Sequence, residues 1–130
     1  MKNGIFKYMV GIMLMFSASV VLADGFDDIV NALKSNNAKE VSKFLNSTVE
    51  LTINDNEGVY SKQQAEMMIK NFLINNQPKN IAIKHRGSSG QSAKYAIANY
   101  ETAQGKFRVY IFMKDSGSGM LVHEMRFEKE

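Results

Sequence analysis

The sequence contains no cysteine, no tryptophan and a single proline, Pro78. Without cysteine the chain forms no disulfide, and it lacks the residue that carries the lipid of a bacterial lipoprotein. A chain of 130 residues therefore depends on an apolar core, and its length suits one domain. No segment has the low hydrophobicity and high net charge of a disordered region. These absences favour a single folded domain without a lipid anchor.

A run of basic residues is also missing, although the net charge of the full chain is +3. Of the 16 basic residues, Lys2 and Lys7 belong to an N-terminal leader, which leaves 14 against 13 acidic residues and a net charge of +1. The other lysines are scattered, so they do not line up along a phosphate backbone. The sequence therefore predicts no nucleic-acid partner.

The first 23 residues have the three parts of a secretory signal peptide. Lys2 and Lys7 frame the basic start, the apolar run Met9–Phe16 follows, and Val21–Ala23 places short side chains at the positions that signal peptidase reads. The alternative is an uncleaved anchor, but the apolar stretch after Lys7 is shorter than the roughly 20 residues of a spanning helix. We predict cleavage after Ala23, a periplasmic or secreted mature protein, and no membrane contact after cleavage.

The mature region, residues 24–130, begins with the patterns of helices. Apolar residues recur at helical spacing in three segments. Acidic residues open the first segment, and Ser61 with Gln64 forms a capping box at the start of the third. The predicted helices are Phe26–Leu33, Ala38–Leu45 and the segment from Ser61 to the break at Asn75–Pro78.

The rest of the mature region carries the patterns of strands. Thr48–Ile53 alternates between apolar and polar residues, and Asn54–Gly58 has the composition of a turn. Four longer runs are joined by short glycine-containing turns, which favour sequential antiparallel pairing. These runs are Asn80–Arg86, Ala93–Thr102, Phe107–Lys114 and Leu121–Glu128. The predicted class is α+β, with N-terminal helices packed on a curved antiparallel sheet of four main strands.

Three stretches of the mature region resemble an uncharacterised family of small secreted bacterial proteins. They are Ile83–Ser89, Phe107–Ile111 and Glu124–Glu128. The order of elements, with Glu57–Ala65 as a strand-to-helix entry, resembles the nuclear transport factor 2-like, or cystatin-like, fold. The resemblance implies one cone-shaped domain over residues 24–130. It implies no catalytic residue, because that family has no assigned activity.

The resemblance also implies a ligand pocket between the curved sheet and the helices. If Gln104 and Gly105 form the tip of a hairpin, strand alternation places small residues opposite large ones on a concave face. Both histidines of the chain fall on this face. The candidate ligand-binding residues are His85, Tyr100, Ile111, His123 and Met125. Because the face is mainly apolar, we predict a small apolar ligand.

The two histidines leave open an alternative in which the protein is an enzyme. A neutral imidazole of His85 or His123 can act as an acid or a base near neutral pH. No carboxylate falls on an inward strand position to orient it, since Asp55 and Asp115 occupy turns. Two histidines are also too few for a zinc site. We therefore predict no catalytic residue, no metal site and no cofactor.

The opposite sheet face carries an aromatic patch among charged residues, which is a common composition of protein interfaces. Glu101 is predicted to lie opposite Arg108, with Glu124 diagonal to it. The candidate interface residues are Tyr95, Ile97, Arg108, Tyr110, Phe112 and Glu124. We predict a homodimer through this face. The alternative is that the N-terminal helices cover it.

Three functions are consistent with these patterns. The leading hypothesis is a non-catalytic periplasmic or secreted domain that binds a small apolar ligand or a protein partner. The second is an enzyme that uses His85 or His123 in the cone pocket. The third is a structural homodimer whose cone is filled by side chains. The space left open inside the cone distinguishes them, because ligand sites are usually cavities of a few hundred cubic ångströms.

Overall fold

In the computed structural model, residues 25–130 are described, and they form three helices and six strands. The predicted signal peptide and its cleavage site after Ala23 lie outside the described residues. The helices are α1 (Phe26–Lys34), α2 (Ala38–Ser42) and α3 (Lys62–Asn75). The strands are β1 (Leu45–Ile53), β2 (Asn56–Ser61), β3 (Pro78–Ser88), β4 (Ala93–Thr102), β5 (Gly105–Asp115) and β6 (Met120–Lys129). None of these helices is long and apolar enough to cross a membrane.

The two N-terminal helices lie where the sequence predicts them. α1 buries Phe26, Ile29 and Leu33, which the helical period places on one side. α2 is shorter than predicted, since it ends at Ser42 and Leu45 already belongs to β1. The second apolar stripe is therefore shared between a short helix and the first strand.

The capping box at the start of α3 is present. The hydroxyl oxygen of Ser61 accepts a hydrogen bond from the backbone N–H of Gln64 at 3.2 Å. In return, the side-chain oxygen of Gln64 accepts one from the backbone N–H of Ser61 at 3.1 Å. These two bonds satisfy donors that a helix start otherwise leaves free, which is why the residue pair marks the boundary so well.

The six strands of the described region form one sheet in the order β2-β1-β6-β5-β4-β3. The prediction of four main strands is therefore corrected to six, because β1 and β2 extend the four-stranded meander through a parallel contact between β1 and β6. The predicted turn Asn54–Gly58 is only a two-residue turn, Asn54–Asp55, and β2 follows it. Sequence alternation misses β2 because it is an edge strand with largely exposed side chains.

The helices pack on one face of the sheet, and the side chains between these layers form the core. Three candidate ligand-binding residues, Tyr100, Ile111 and Met125, lie there, and each is 0% exposed. Phe72 of α3 packs on Tyr100 and Phe127, with ring centroids 5.5 and 4.6 Å apart. A cavity large enough for a ligand would leave part of these side chains uncovered. Side chains therefore fill the cone at these positions.

The hairpin between β4 and β5 turns one residue earlier than predicted. Thr102 pairs with Gly105, so Ala103 and Gln104 form the tip. Thr102 Oγ1 closes this turn by accepting hydrogen bonds from the backbone N–H groups of Gln104 and Gly105, both at 3.1 Å. The predicted pairing of Thr102 with Phe107 is thus shifted by two residues. Such a shift leaves every side chain on its predicted face, because the strand period is two.

The prediction that His85 lies on the concave face is wrong. Ile83 of β3 pairs with Ala98, but His85 pairs with the next residue of β4, Ile97. Lys84 is therefore the extra residue of a β-bulge. One extra residue reverses the alternation of the strand beyond it, so His85 lies on the outer face and is exposed.

The prediction that His123 lies on the concave face is wrong for the same reason. Phe112 of β5 pairs with Glu124 of β6, and the next pair joins Met113 to Val122. His123 is the unpaired residue between them. Val122 takes the inward position instead and is 0% exposed. Neither histidine therefore contributes to the inside of the cone.

Candidate interface on the outer sheet face

The outer sheet face, opposite the helices, spans β3 to β6 and holds all six candidate interface residues. The strand register places Tyr95 beside Phe112, Ile97 beside Tyr110, and Phe112 beside Glu124. Their large apolar side chains are half-buried, whereas the inward residues of the same strands belong to the core. The alternative prediction is that the N-terminal helices cover this patch. The helices of residues 25–130 instead pack into the core on the other face of the sheet.

An aromatic platform, formed by His85, Tyr95, Tyr110 and Arg126, crosses the outer face from β3 to β6. The rings of Tyr95 and Tyr110 stack at 29° with centroids 6.2 Å apart. The guanidinium carbon of Arg126 lies 5.4 Å from the centroid of Tyr110, within cation–π range. Gly87 of β3 makes room for this arrangement, because a Cβ there would come within 2.5 Å of the Tyr95 ring. The four strands thus share one continuous surface.

His85 joins the platform through Tyr95. Its Nε2 lies 3.0 Å from the hydroxyl oxygen of Tyr95, and the two ring centroids are 5.6 Å apart. Regular alternation gives no sign of the bulge at Lys84, so reading the sequence missed this contact. The arrangement adds a polar, solvent-accessible end to an otherwise aromatic surface.

Arg126 and Glu124 form a charged pair at the β6 end of the platform. Arg126 Nε donates a hydrogen bond to Glu124 Oε2 at 2.6 Å. This hydrogen bond raises the pKa of Arg126. Burial raises the pKa of the Tyr110 hydroxyl, and the carboxylate of Glu124 adds to the effect. Both groups therefore keep their protons at neutral pH, so the platform presents a fixed cation and a neutral phenol.

Arg108 does not make the contacts that the sequence predicts. Glu101 pairs across the strands with Lys106, not with Arg108, because the β4–β5 register is shifted by two residues. Arg108 lies opposite Glu128, and its Nε is 3.8 Å from Glu130 Oε1. This ion pair is exposed on both sides, so it contributes little to stability.

A groove of about 330 Å³ lies beside the platform, where β1 separates from β6. The parallel ladder skips residues 46–49 of β1 and His123 of β6. His123 Nε2 is buried there and has no hydrogen-bond partner among the described residues. The lining combines charged and apolar side chains: Glu50, Glu124, Lys114, Val59 and Phe112. The groove extends the candidate interface toward β1 and β2.

This arrangement is suited to non-covalent recognition. Acid–base catalysis needs a group that orients the histidine. Within residues 25–130, neither His85 nor His123 makes a hydrogen bond to a carboxylate. In the same region no three His, Asp or Glu side chains come together in a way that could hold a metal ion. Stacked tyrosines, a guanidinium and a mixed groove are instead typical of protein interfaces.

Comparisons with known proteins agree with the fold. A profile of the family described as Domain of unknown function (DUF4783) matches residues 26–128. A crystal structure of a DUF4783 family protein from Bacteroides uniformis is similar at 26% identity and a TM-score of 0.75. The match covers 80% of this chain and 95% of that chain. The predicted resemblance to an uncharacterised family is therefore confirmed.

Two more distant structures share the fold alone. A domain of unknown function with a cystatin-like fold from Nostoc punctiforme is 6% identical, with a TM-score of 0.66 over 85% of this chain and 80% of that chain. A protein of the nuclear transport factor 2 type is also 6% identical, with a TM-score of 0.61 over 78% of this chain and 90% of that chain. These likenesses confirm the α+β class, whereas no curated protein matches the chain.

Proposed function

The chain belongs to the DUF4783 family, whose function is unknown, and we propose that it is an exported, non-catalytic binding domain that acts through its outer sheet face. The aromatic platform carries this proposal, because stacked tyrosines and a guanidinium lie on a face that no described helix covers. Contiguous apolar patches of this kind commonly mark interaction sites. Export rests on the signal-like sequence of residues 1–23.

The partner that we propose is a second copy of the chain. A two-fold interface brings the same patch of both copies together, so the patch has to complement itself. The outer face meets this condition, since Arg108 and Arg126 lie opposite or beside Glu128 and Glu124. Full burial of an exposed apolar side chain contributes about 1.5–3 kcal/mol, and Phe112 contributes less because it is already half-buried. Association costs roughly 4–15 kcal/mol in lost freedom, so several such side chains have to be buried together.

The other functions considered from the sequence have less support. A small apolar ligand inside the cone would need the space that Tyr100, Ile111 and Met125 occupy. An enzyme based on His85 or His123 would need a group that orients the imidazole, and it would have to work on the outer face. The filled cone is compatible with the third hypothesis, a structural homodimer, which the present proposal includes.

A single charge at the centre of the outer face tests the homodimer. Phe112 lies directly opposite Glu124, so Phe112→Lys gives the monomer a favourable cross-strand pair, whereas Phe112→Glu would set two carboxylates side by side. We expect the unmodified protein to sediment as a dimer and Phe112→Lys to sediment as a folded monomer. Circular dichroism checks that the fold is retained.

Met67→Lys is the matched control, because Met67 is 66% exposed on α3, away from the outer face. It introduces the same charge in place of an exposed apolar side chain outside the proposed interface, and we expect the dimer to persist. If the unmodified protein is a monomer at high concentration, the proposed interface is wrong. Equal dissociation by both variants would also reject it, since the effect would then depend on charge alone.

A further inference from the structure

A second groove, which we call the asparagine groove, lies on the helix side of the sheet. It has a volume of about 340 Å³ and runs between the tip of the β1–β2 hairpin and the C-terminal half of α3. Five of the eight residues that line it are asparagines: Asn54, Asn56, Asn71, Asn75 and Asn76. The other three are apolar, so no charged side chain of the described residues lines the groove. Its volume is within the range of ligand sites, about 300–1,000 Å³.

Most of these amides are free to bind a ligand. Among the residues that the structure describes, the side chain of Asn76 donates to the carbonyl oxygen of Phe72 at 3.1 Å. The side chains of Asn56, Asn71 and Asn75 make no such bond within residues 25–130, and all three are exposed. Each therefore offers one carbonyl acceptor and two N–H donors to the groove.

Local structure accounts for only two of the five asparagines. Asn54 has a left-handed backbone with φ 56°, which suits the turn, and Asn76 ends α3. Asn71 and Asn75 are one helical turn apart on the same side of α3, where asparagine is a poorer helix former than alanine. Helix propensity therefore does not favour asparagine at these two positions.

We propose that the asparagine groove binds a neutral carbohydrate. A side-chain amide presents a donor and an acceptor side by side, which matches neighbouring hydroxyl groups on a sugar ring. Half-buried Ile53 and Met68 border the amides and give the C–H surface of the ring an apolar contact. The described lining offers no cation that could pair with the negative charge of a phosphate or a uronic acid. Binding of such a ligand would therefore leave its charge poorly compensated. The chemistry therefore selects an uncharged, hydroxyl-rich ligand.

Nuclear magnetic resonance of side-chain amides tests the proposal directly. The ¹⁵N-labelled protein, recovered from cells that express the full chain, is titrated with cellotetraose, maltotetraose, mannotetraose and chitotetraose at millimolar concentrations. We expect at least one of them to shift the side-chain NH₂ signals of Asn56, Asn71 and Asn75. The binding should be insensitive to salt, because no ion pair is involved.

Asn71→Ala and Asn75→Ala test the residues without threatening the fold, since alanine is the better helix former. Each variant should weaken binding about tenfold, which corresponds to ~1.4 kcal/mol. Asn31→Ala is the matched control, because Asn31 is an exposed asparagine in α1 outside the groove, and it should leave binding unchanged.

Three outcomes would overturn the proposal. Tetragalacturonate that binds as well as the neutral probes would show that the groove does not select uncharged ligands. An uncharged, end-blocked alanine peptide that shifts the same amides when no sugar does would assign the groove to peptides. If none of the four neutral probes shifts these NH₂ signals, the groove is not a carbohydrate-binding site. The dimer test probes another surface, so it succeeds or fails independently.

Discussion

At the scale of single residues, Tyr100 shows how one side chain fixes a helix to the sheet. Its ring is fully buried on β4, and its hydroxyl donates a hydrogen bond to the carbonyl oxygen of Asn76 at the end of α3. Burial raises the pKa of this hydroxyl well above its usual range. The group therefore stays neutral and keeps the proton that it donates at all ordinary pH values. Tyr100 thus supplies a hydrogen-bond donor to a carbonyl oxygen that the end of a helix would otherwise leave without a partner.

Tyr100→Phe should lower the free energy of unfolding by roughly 1–3 kcal/mol, because a partly buried carbonyl loses its donor. Urea denaturation measures this change. Tyr110→Phe is the matched control, since the Tyr110 hydroxyl makes no hydrogen bond within the described residues and is only half-buried. The control should differ little from the unmodified protein. Equal losses in the two variants would show that the hydrogen bond of Tyr100 contributes nothing.

At the scale of elements, local signals predict local structure. The capping box fixes the start of α3 because both of its hydrogen bonds lie within four residues. The alternation in β4 and β5 places Tyr95 and Tyr110 on the outer face even though the predicted turn is misplaced. β2 carries no such signal, because its position depends on pairing with β1. The bulges at Lys84 and His123 are equally invisible in the sequence, since neighbouring strands decide which residue stays unpaired.

This difference explains what the sequence predicts of the candidate site. The six interface residues share one face because alternation is a property of each strand alone. The contact of His85 with Tyr95 depends on a bulge, and the separation of β1 from β6 around His123 depends on a parallel pairing between distant segments. Reading the sequence therefore gives the aromatic centre of the platform and Glu124 at its β6 end, but it misplaces His85 at the other end.

Ser61→Ala tests the element whose boundary is best defined. Loss of the cap should lower the free energy of unfolding by about 1 kcal/mol, since one backbone donor of α3 loses its acceptor. Thermal or urea unfolding followed by circular dichroism measures it. Ser47→Ala is the control, because Ser47 is exposed on β1 and its side chain makes no hydrogen bond within residues 25–130. A destabilisation no larger than that of the control would contradict the role of the capping box.

At the scale of the whole molecule, a filled core separates two different surfaces. The aromatic platform and the β1–β6 groove lie on the outer sheet face, whereas the asparagine groove lies beside α3 on the other side. One surface is aromatic and charged, and the other has no charged lining. Both proposed recognition surfaces therefore lie outside the cone, and neither needs the core to open. Both surfaces thus differ from the ligand pocket inside the cone that the resemblance implies.

The export prediction also belongs to the whole chain. Phe26 is 1% exposed in the core, and Gly25 before it has a left-handed backbone with φ 91° next to the side chain of Met113. The described core begins at Phe26, so processing after Ala23 would leave every core residue of the described region in the mature chain, whereas cleavage beyond Phe26 would remove a core side chain. We expect the protein recovered from the cell envelope to begin at Asp24, as shown by N-terminal sequencing or intact mass. Recovery of the full-length chain in the membrane fraction would contradict cleavage and favour an N-terminal anchor.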